Sequence, residues 1–392
     1  MKIGILIDEL IPGGFQKVAI MEAKYFNMLG HEAVLVVLHR IKNEGYEDLI
    51  KRNNIKVIRI SDRLPFCLRL NFRFPFFAFF SFFHIFYPFF IWGYVKRGEF
   101  DVCITHGTYT AFSSIAIKKK LHIPFISFIH DSVTYIIENK YKDKFPRSVL
   151  GFLMLIAKKL DRAIVGSSNC VIAFPEMLWE LKKIYPAYQD YHEIFNGCEV
   201  IPESEIIFNK SNFAISVTKW DQGKNFNFIL DIWNSLDAKI PLKVIGSVHP
   251  DSLKNEMERL ISDRGLSNYI TIIGQITEEE LCEYYSNARF LVHPCREAFG
   301  MTILEASAHG CPAIFTNNSG VAELFPDKIR LEMPSEKDIV SYVNTIRYIG
   351  GLPQQEYVEL VDDYYKVAIE NTWEAHCRKI EKLIHLTIKN NV

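Results

Sequence analysis

The chain has 392 residues, 49% of them hydrophobic and 23% charged, and its formal net charge at pH 7 is −1. A chain of this length can form two or three domains with buried cores. Because the charge signs balance and no basic stripe with interleaved aromatic residues occurs, the composition argues against a nucleic-acid-binding protein. The eight cysteines lack metal-ligand spacing, which predicts neither a zinc site nor a disulfide framework and fits a reducing compartment.

The chain begins with a strand-like segment rather than with the basic and apolar regions of a signal peptide, so we expect a cytoplasmic protein. Apolar runs of strand length then alternate with helical patterns. The predicted strands of this first half are Ile3–Ile7, Ala33–Leu38, Ile55–Ile60, Val102–Thr105, Phe125–Ile129 and Ala163–Val165. This alternation predicts a doubly wound α/β domain with a parallel sheet.

Two features follow strands of this first series. Gly13 and Gly14 come after the first strand, where glycine lets the backbone approach a ligand closely. The segment is not a GxGxxG motif, and a plain strand-to-helix connection is the simpler interpretation. His130 follows the strand Phe125–Ile129 at a carboxyl end, where a lone histidine is more often structural than catalytic.

The segment Phe72–Val95 is dominated by aromatic residues and is long enough to span a bilayer. Pro75 and Pro88 would interrupt a spanning helix, and the segment lies between strands of one sheet. A helix buried in the domain and an aromatic face inserted into a membrane surface are the other interpretations. We favour the membrane surface, because a soluble monomer seldom exposes so many phenylalanines. The flanking basic residues are Arg69, Arg73, Lys96 and Arg97.

A second series of alternating elements occupies the second half and predicts a second parallel sheet. Its strands are Phe213–Val217, Lys243–Ile245, Ile270–Ile273, Phe290–His293 and Ala313–Phe315. Helical patterns separate them, for example Phe226–Leu236 and Glu278–Ser286. A last amphipathic helix begins at Trp373 and extends to about residue 386. The sequence thus predicts two doubly wound domains and a terminal helix.

Two lysines follow the first strand of this second series. Lys219 and Lys224 lie between Phe213–Val217 and a predicted helix. Two cations at the carboxyl edge of a parallel sheet can neutralise a diphosphate, although a lysine pair in a loop is more often solvated surface.

The segment with the most candidate functional residues runs from Arg296 to Ala306. In it, two glutamates eight positions apart bracket a glycine turn and the start of a helix. A strand, a tight turn and a helix present free backbone N–H groups and a positive helix end, which suit nucleotide phosphates. Carboxylates suit sugar hydroxyls, which donate to ionised oxygens. Glu297 and Glu305 could be ordinary surface residues, but their setting predicts a nucleotide-sugar site.

The stretch from His293 to Leu324 closely resembles the donor-site signature of glycosyltransferase family 4, a retaining family with the GT-B fold. Glu297 and Glu305 match the two glutamates of its core, which are separated by seven residues. Ala298 stands where the family usually has glycine. The family also has a basic pair at the spacing of Lys219 and Lys224, but its first member is typically arginine, whose bidentate fork lysine lacks.

The resemblance covers essentially the full chain and implies two Rossmann-like domains, both doubly wound parallel α/β sheets, facing a cleft. We expect an acceptor-binding domain over residues 1–200 and a nucleotide-sugar-binding domain over residues 201–370. Residues 371–392 would form a helix that crosses back to the first domain.

The resemblance also implies roles for individual residues. Glu297, His130 and Lys224 would be catalytic, with Glu297 orienting the sugar, His130 near it and Lys224 stabilising the departing diphosphate. The donor-binding residues would be Gly13, Gly14, Lys219, Lys224, Phe299, Gly300, Met301, Thr302 and Glu305. No metal and no cofactor is expected, because the lysines and backbone N–H groups replace a divalent cation.

The expected function is the transfer of a sugar from a UDP- or GDP-linked donor to a lipid-linked or growing glycan acceptor. Surface polysaccharide or glycolipid synthesis at the inner face of the cell membrane is the expected setting. Two alternatives remain open at this point: a sugar-nucleotide 2-epimerase of the same fold, and a non-catalytic scaffold that resembles a glycosyltransferase.

Overall fold

The computed structural model describes residues 1–41, 44–63, 73–74, 77–81, 95–142, 144–326 and 337–389. The chain divides into two compact units. The first unit consists of Met1–Ile194 together with His376–Val392, and the second consists of Phe195–Ala375. The domain boundaries proposed from the sequence, after residues 200 and 370, stay predictions.

The first unit is built on a seven-stranded parallel sheet in the order β3-β2-β1-β6-β7-β8-β9. Its inner strands are mostly apolar and buried along nearly their whole length, as expected for a parallel sheet covered on both faces. Its strands are β1 (Lys2–Ile7), β2 (Glu32–Val37), β3 (Lys56–Arg59), β6 (Val102–His106), β7 (Phe125–Phe128), β8 (Cys170–Ala173) and β9 (Tyr191–Glu193). A separate antiparallel pair, β4 (Arg73–Phe74) and β5 (Phe77–Ser81), lies between β3 and β6 in sequence.

Helices connect these strands. They are Gly14–Met28, Glu47–Arg52, Ile60–Arg63, Thr108–Leu121, Val133–Lys140, Arg147–Ser167 and Pro175–Ile184. The last helix of the chain, Trp373–Lys389, begins in the second unit, and its residues from His376 onward belong to the first.

One strand prediction is wrong. Ala163–Val165 lies inside the helix Arg147–Ser167 and not in the sheet. The buried residues of that helix are Ala157, Asp161, Ile164 and Val165, so the apolar run is part of a stripe with helical spacing. The strand that follows β7 is β8, and neither β8 nor the short strand β9 was predicted from the sequence.

The second unit contains a five-stranded parallel sheet in the order β12-β11-β10-β13-β14. Its strands are β10 (Ser211–Val217), β11 (Leu242–Ile245), β12 (Ile270–Gly274), β13 (Ala288–His293) and β14 (Ala313–Phe315), which agree with the five predicted strands. Its helices are Phe226–Asn234, Asp251–Asp263, Glu278–Asn287, Met301–Ala308, Ile339–Gly351 and Gln354–Glu370.

Strand order places the ends of β10 and β13 side by side. The chain runs from β10 outward to β12 and then returns to pair β13 with the other side of β10. At such a reversal the two flanking loops leave the sheet in opposite directions and open a crevice at its carboxyl edge. The loops after β10 and β13 are those that carry the predicted lysines and Glu297.

Most of Phe72–Val95 lies outside the described residues, and the prediction of a membrane-surface contact falls there. The described backbone within it forms the strands β4 and β5, and Val95 is buried. Of the helices in the described part of the chain, none combines the length and the apolar character that a bilayer crossing requires.

Candidate functional site

The loops after β10 and β13 bring three polar residues together in the second unit: Lys224 and Glu297, which were predicted, and His293, which was not. Lys224 Nζ donates to Glu297 Oε1 at 2.5 Å. His293, the last residue of β13, places its Nε2 3.3 Å from the same oxygen. The lysine and glutamate side chains are 20% and 28% exposed, so this cluster is accessible at one side. Glu297 Oε2 makes no hydrogen bond to any described residue, which leaves that oxygen available to a ligand.

The charges of this cluster are strongly coupled. Burial raises the pKa of Glu297, but the hydrogen bond from His293 and the charge of Lys224 outweigh it and lower the pKa to about 2. Burial lowers the pKa of Lys224, yet the adjacent Glu297 carboxylate raises it above its ordinary value. Near neutral pH the pair is therefore a carboxylate and an ammonium. In the described part of the chain, no group of three or more histidine, cysteine or acidic residues could hold a metal ion.

The turn beside Glu297 is fixed by backbone contacts. Gly300 has a φ of 101°, and a Cβ there would lie 2.9 Å from Ile303 Cδ1. The N–H of Val321 donates to the Phe299 carbonyl at 2.7 Å. A Cβ on Gly320 would lie 2.3 Å from the Ala298 carbonyl oxygen, so only glycine allows the two segments to approach this closely.

The helix Met301–Ala308 begins directly after this turn, and its first N–H groups have no intrahelical partner. Met301 and Thr302 are half-buried there. The side chain of Phe299 is buried and packs near Phe195, with ring centroids 6.1 Å apart, so only its backbone can face a ligand.

The two remaining predicted residues of this unit, Glu305 and Lys219, differ in burial. Glu305 is half-buried on the helix Met301–Ala308, and the hydroxyl of Tyr285 donates to its Oε2 at 3.5 Å. Burial and the neighbouring Glu305 raise the pKa of Tyr285 well above its ordinary value, so the hydroxyl stays a donor. Lys219 is exposed just beyond β10.

In the first unit, the predicted glycine turn begins the helix Gly14–Met28. The hydroxyl of Tyr46 accepts from the Gly13 N–H at 3.2 Å and donates to the Gly13 carbonyl at 3.0 Å. A Cβ on Gly13 would lie 2.5 Å from Gln16 Oε1, whereas one on Gly14 would meet open space. Gly14 is exposed, so its backbone is the more accessible of the two.

His130 is connected to a buried chain of polar side chains that the sequence analysis did not identify. Its Nε2 lies 3.1 Å from Nδ1 of His106, the last residue of β6. His106 Nε2 lies 2.9 Å from Glu22 Oε2, and His376 Nε2 lies 3.0 Å from Glu22 Oε1. We call these four residues the histidine relay. The usable sequence signal was a pair of histidines at the ends of two neighbouring strands.

Burial and charge set the ionisation of the histidine relay. Burial raises the pKa of the fully buried Glu22, but the charge and hydrogen bond of His106 and the hydrogen bond of His376 lower it to about 2. Burial and the neighbouring His106 lower the pKa of His130 to about 3. The ring of His130 also stacks on Phe128, with centroids 4.5 Å apart. His130 is therefore a neutral ring backed by an ionised carboxylate.

Comparisons with known proteins bear directly on this arrangement. The family model described as Glycosyltransferase Family 4 matches residues 12–177, and the model described as Glycosyl transferases group 1 matches residues 199–349. The first match includes the glycine turn and the histidine relay up to His130, and the second includes Lys224, Glu297 and Glu305. The chain belongs to glycosyltransferase family 4, and its fold is GT-B, as the sequence predicted.

Individual relatives are distant. The chain is 26% identical to an uncharacterized glycosyltransferase of Methanocaldococcus jannaschii over 54% of each chain. It is 24% identical to the N-acetylgalactosamine-N,N'-diacetylbacillosaminyl-diphospho-undecaprenol 4-alpha-N-acetylgalactosaminyltransferase of Campylobacter jejuni over 46% of each chain. The matches thus span about half the length of these relatives. Among solved structures, Anabaena HepE in complex with UDP and glucose superposes with a TM-score of 0.73 at 14% identity, over 98% of this chain and 99% of the other.

Proposed function

We propose that this protein is a retaining glycosyltransferase that needs no metal ion and transfers a sugar from a UDP- or GDP-linked donor to a lipid-linked or growing glycan acceptor. The observation that carries the proposal is the cluster of Lys224, Glu297 and His293 beside the turn at Gly300. It combines a cation, a helix start and a carboxylate with one free oxygen, which are the groups that a nucleotide-sugar requires.

The phosphates of the donor would meet positive groups at the second sheet. Lys224 is cationic, Lys219 is exposed after the same strand, and the N–H groups from Gly300 to Thr302 have no partner within the helix. Stabilisation of a departing diphosphate by such preorganised donors contributes about 3–4 kcal/mol for each well-placed group. These groups would do the work that a divalent cation performs elsewhere.

The sugars of the donor would meet the carboxylates. Glu297 is ionised, its Oε1 is engaged by Lys224 and His293, and its Oε2 can accept a hydroxyl of the transferred sugar. Glu305 would accept the ribose hydroxyls, and Tyr285 holds one of its oxygens. His130 keeps its proposed role at the transferred sugar, which rests on the family resemblance.

The acceptor part of the proposal is supported by the surface of the helix Arg147–Ser167. Phe152 and Leu155 are 62% and 63% exposed on it. The only acidic residue of the helix, Asp161, is buried, and its exposed charged residues are Arg147, Lys158, Lys159 and Arg162. An apolar stripe with cations fits an anionic membrane surface, and the Campylobacter relative is named for a diphospho-undecaprenol acceptor.

The donor is tested by thermal unfolding of the protein with UDP, GDP, ADP and their sugar conjugates, in the presence of a metal chelator. A donor at one hundred times its dissociation constant stabilises the folded state by about 2.7 kcal/mol. No shift with any of them would favour the non-catalytic scaffold. Release of an epimerised sugar without an acceptor would identify a 2-epimerase, and the anomeric configuration of a transfer product tests retention.

The membrane contact is tested by sedimentation with anionic vesicles. Phe152→Ser/Leu155→Ser should lower the bound fraction, whereas Met28→Ser, which changes an apolar residue that is 68% exposed on another helix, should not. Equal binding of all three proteins would assign the contact to another surface, with Phe72–Val95 the next to test.

A further inference from the structure

The histidine relay has no assigned purpose beyond the position of His130. Glu22 is completely buried, and each of its carboxylate oxygens faces one imidazole nitrogen. An ionised carboxylate only accepts hydrogen bonds, so Nε2 of both His106 and His376 carries a proton. This assignment leaves one proton of the relay to be placed, the one shared between His106 Nδ1 and His130 Nε2.

A single proton lies between those two nitrogens, which are 3.1 Å apart. If His106 is neutral, its Nδ1 is bare and must accept from Nε2–H of His130, so Nδ1 of His130 is an acceptor. If His106 is an imidazolium, it donates to His130 Nε2, and the proton of neutral His130 is on Nδ1. The second nitrogen of His130 makes no hydrogen bond to any described residue, and the ring is half-buried, so that nitrogen can face a ligand.

We propose that Glu22 and His106 are positioning residues that make His130 a neutral proton carrier. When a proton binds Nδ1 of His130, the proton on Nε2 of His130 passes to Nδ1 of His106. The positive charge of His106 then lies beside the Glu22 carboxylate. The proton count balances, because one proton enters at Nδ1 and one crosses from Nε2 to Nδ1 of His106. His130 changes from an acceptor to a donor without becoming charged. The ligand in question is a sugar hydroxyl, and this part rests on the proposed function.

The surroundings support a charge on His106 rather than on His130. Among the described residues, the charges that act on His130, besides that of His106, are those of Glu22 on the helix Gly14–Met28 and of His376 on the last helix. The Cys377 thiol near the Glu22 carbonyl is buried, which raises its pKa well above the ordinary value and keeps it neutral. The other walls of His130 are the aromatic rings of Phe15, Phe128 and Phe174, which carry no charge. A cation is therefore better stabilised at His106, in direct contact with the carboxylate.

The test is a pH titration of the full-length protein labelled with ¹⁵N at histidine, in which NMR distinguishes protonated from bare ring nitrogens. Variants His130→Gln and His106→Gln assign the signals. On proton uptake we expect His106 to become an imidazolium, while His130 stays neutral and its proton moves from Nε2 to Nδ1. An imidazolium on His130, or one unchanged tautomer throughout, would overturn the proposal.

Glu22→Gln supplies a second measurement, because it keeps the size of the side chain and removes its charge. We expect the proton affinity of the His106–His130 pair to fall roughly tenfold or more, since an adjacent opposite charge shifts a pKa by about 1–3 units. The matched control is Glu381→Gln. Glu381 lies on the last helix, 2.7 Å from His31 Nε2, and its substitution should leave the His130 signals unchanged.

If Glu22→Gln does not fold, the titration of the unaltered protein still tests the relay proposal. The measurement needs no donor and no acceptor, so an absent tautomer change and an absent transferase activity are separate results. The relay proposal can fail while the transferase assignment stands, and the reverse also holds.

Discussion

Glu22 in the first unit and Glu297 in the second unit have the same ionisation and opposite exposure. Basic neighbours lower the pKa of each carboxylate to about 2 in spite of burial. Glu22 is fully buried, and both its oxygens are engaged by histidines. Glu297 is 28% exposed, and Lys224 and His293 share one of its oxygens.

The difference shows that ionisation does not by itself identify a binding carboxylate. A buried carboxylate with both oxygens already hydrogen-bonded can act only on the groups that contact it. A carboxylate that is hydrogen-bonded through only one oxygen keeps its charge and can still accept a hydrogen bond from a ligand. Perturbed ionisation occurs at functional sites and in structural ion-pair networks alike, and here the free oxygen distinguishes the two.

The largest expected effect comes from Glu22→Ala. The substitution leaves the buried Nε2–H groups of His106 and His376 without their acceptor, and two unsatisfied buried donors together cost about 2–6 kcal/mol. We expect the free energy of unfolding to fall by about that amount in denaturant titrations. Glu297→Ala is the comparison, and a loss of equal size there would contradict the distinction between the two carboxylates.

Glu297→Gln should affect catalysis more than stability. In the proposed role of Glu297 at the transferred sugar, loss of its charge should lower turnover roughly 100- to 1,000-fold, as for other preorganised electrostatic groups, with a small change in donor affinity. Steady-state kinetics measure both quantities. Glu256→Gln, an exposed glutamate on the helix Asp251–Asp263, is the matched control, and wild-type turnover in Glu297→Gln would refute the site assignment.

Glu305→Ala should mainly weaken donor binding. A hydrogen bond to a charged group contributes about 1.5–3 kcal/mol, so the dissociation constant should rise roughly tenfold or more while turnover at saturation changes little. Calorimetric titration with the donor nucleotide measures the affinity. A lower turnover with unchanged affinity would exchange the roles of Glu305 and Glu297.

The smallest effect is on the pH dependence of stability, where the contributions of His130 and Glu297 begin at different pH values. The pKa of His130 lies below its ordinary value of 6.5. The unfolded chain therefore binds a proton that the folded chain does not, and stability falls as pH drops below about 6.5. The lowered pKa of Glu297 contributes stability above its ordinary value of 4.5, which is lost as pH falls toward 2.

Unfolding measured from pH 7 to pH 3 distinguishes the two contributions. His130→Gln should flatten the decline from about pH 6.5 downward, and Glu297→Gln should flatten it only below about pH 4.5. A change between about pH 6.5 and 4.5 in Glu297→Gln would mean that the two clusters are not independent.

Much of the fold and part of the site were predictable from the sequence, because they depend on local patterns. Buried parallel strands require continuous apolar runs, which located all five strands of the second sheet. The pattern failed at Ala163–Val165, where three apolar residues fit a strand as well as the face of a helix. The signature around Glu297 is likewise contiguous, so the chain order alone placed the turn and its helix.

The histidine relay could not be predicted in this way, because its members come from four separate segments of the chain. Glu22 and His376 are 354 positions apart, and they meet only because the last helix returns to the first unit. Nor does the sequence state how many oxygens of a carboxylate are already engaged. The sequence by itself determined the five strands of the second sheet and five of the seven strands of the first, since apolar periodicity and the order of elements along the chain are local properties. Only the tertiary structure decided which charges are paired, because pairing and exposure depend on contacts between distant segments.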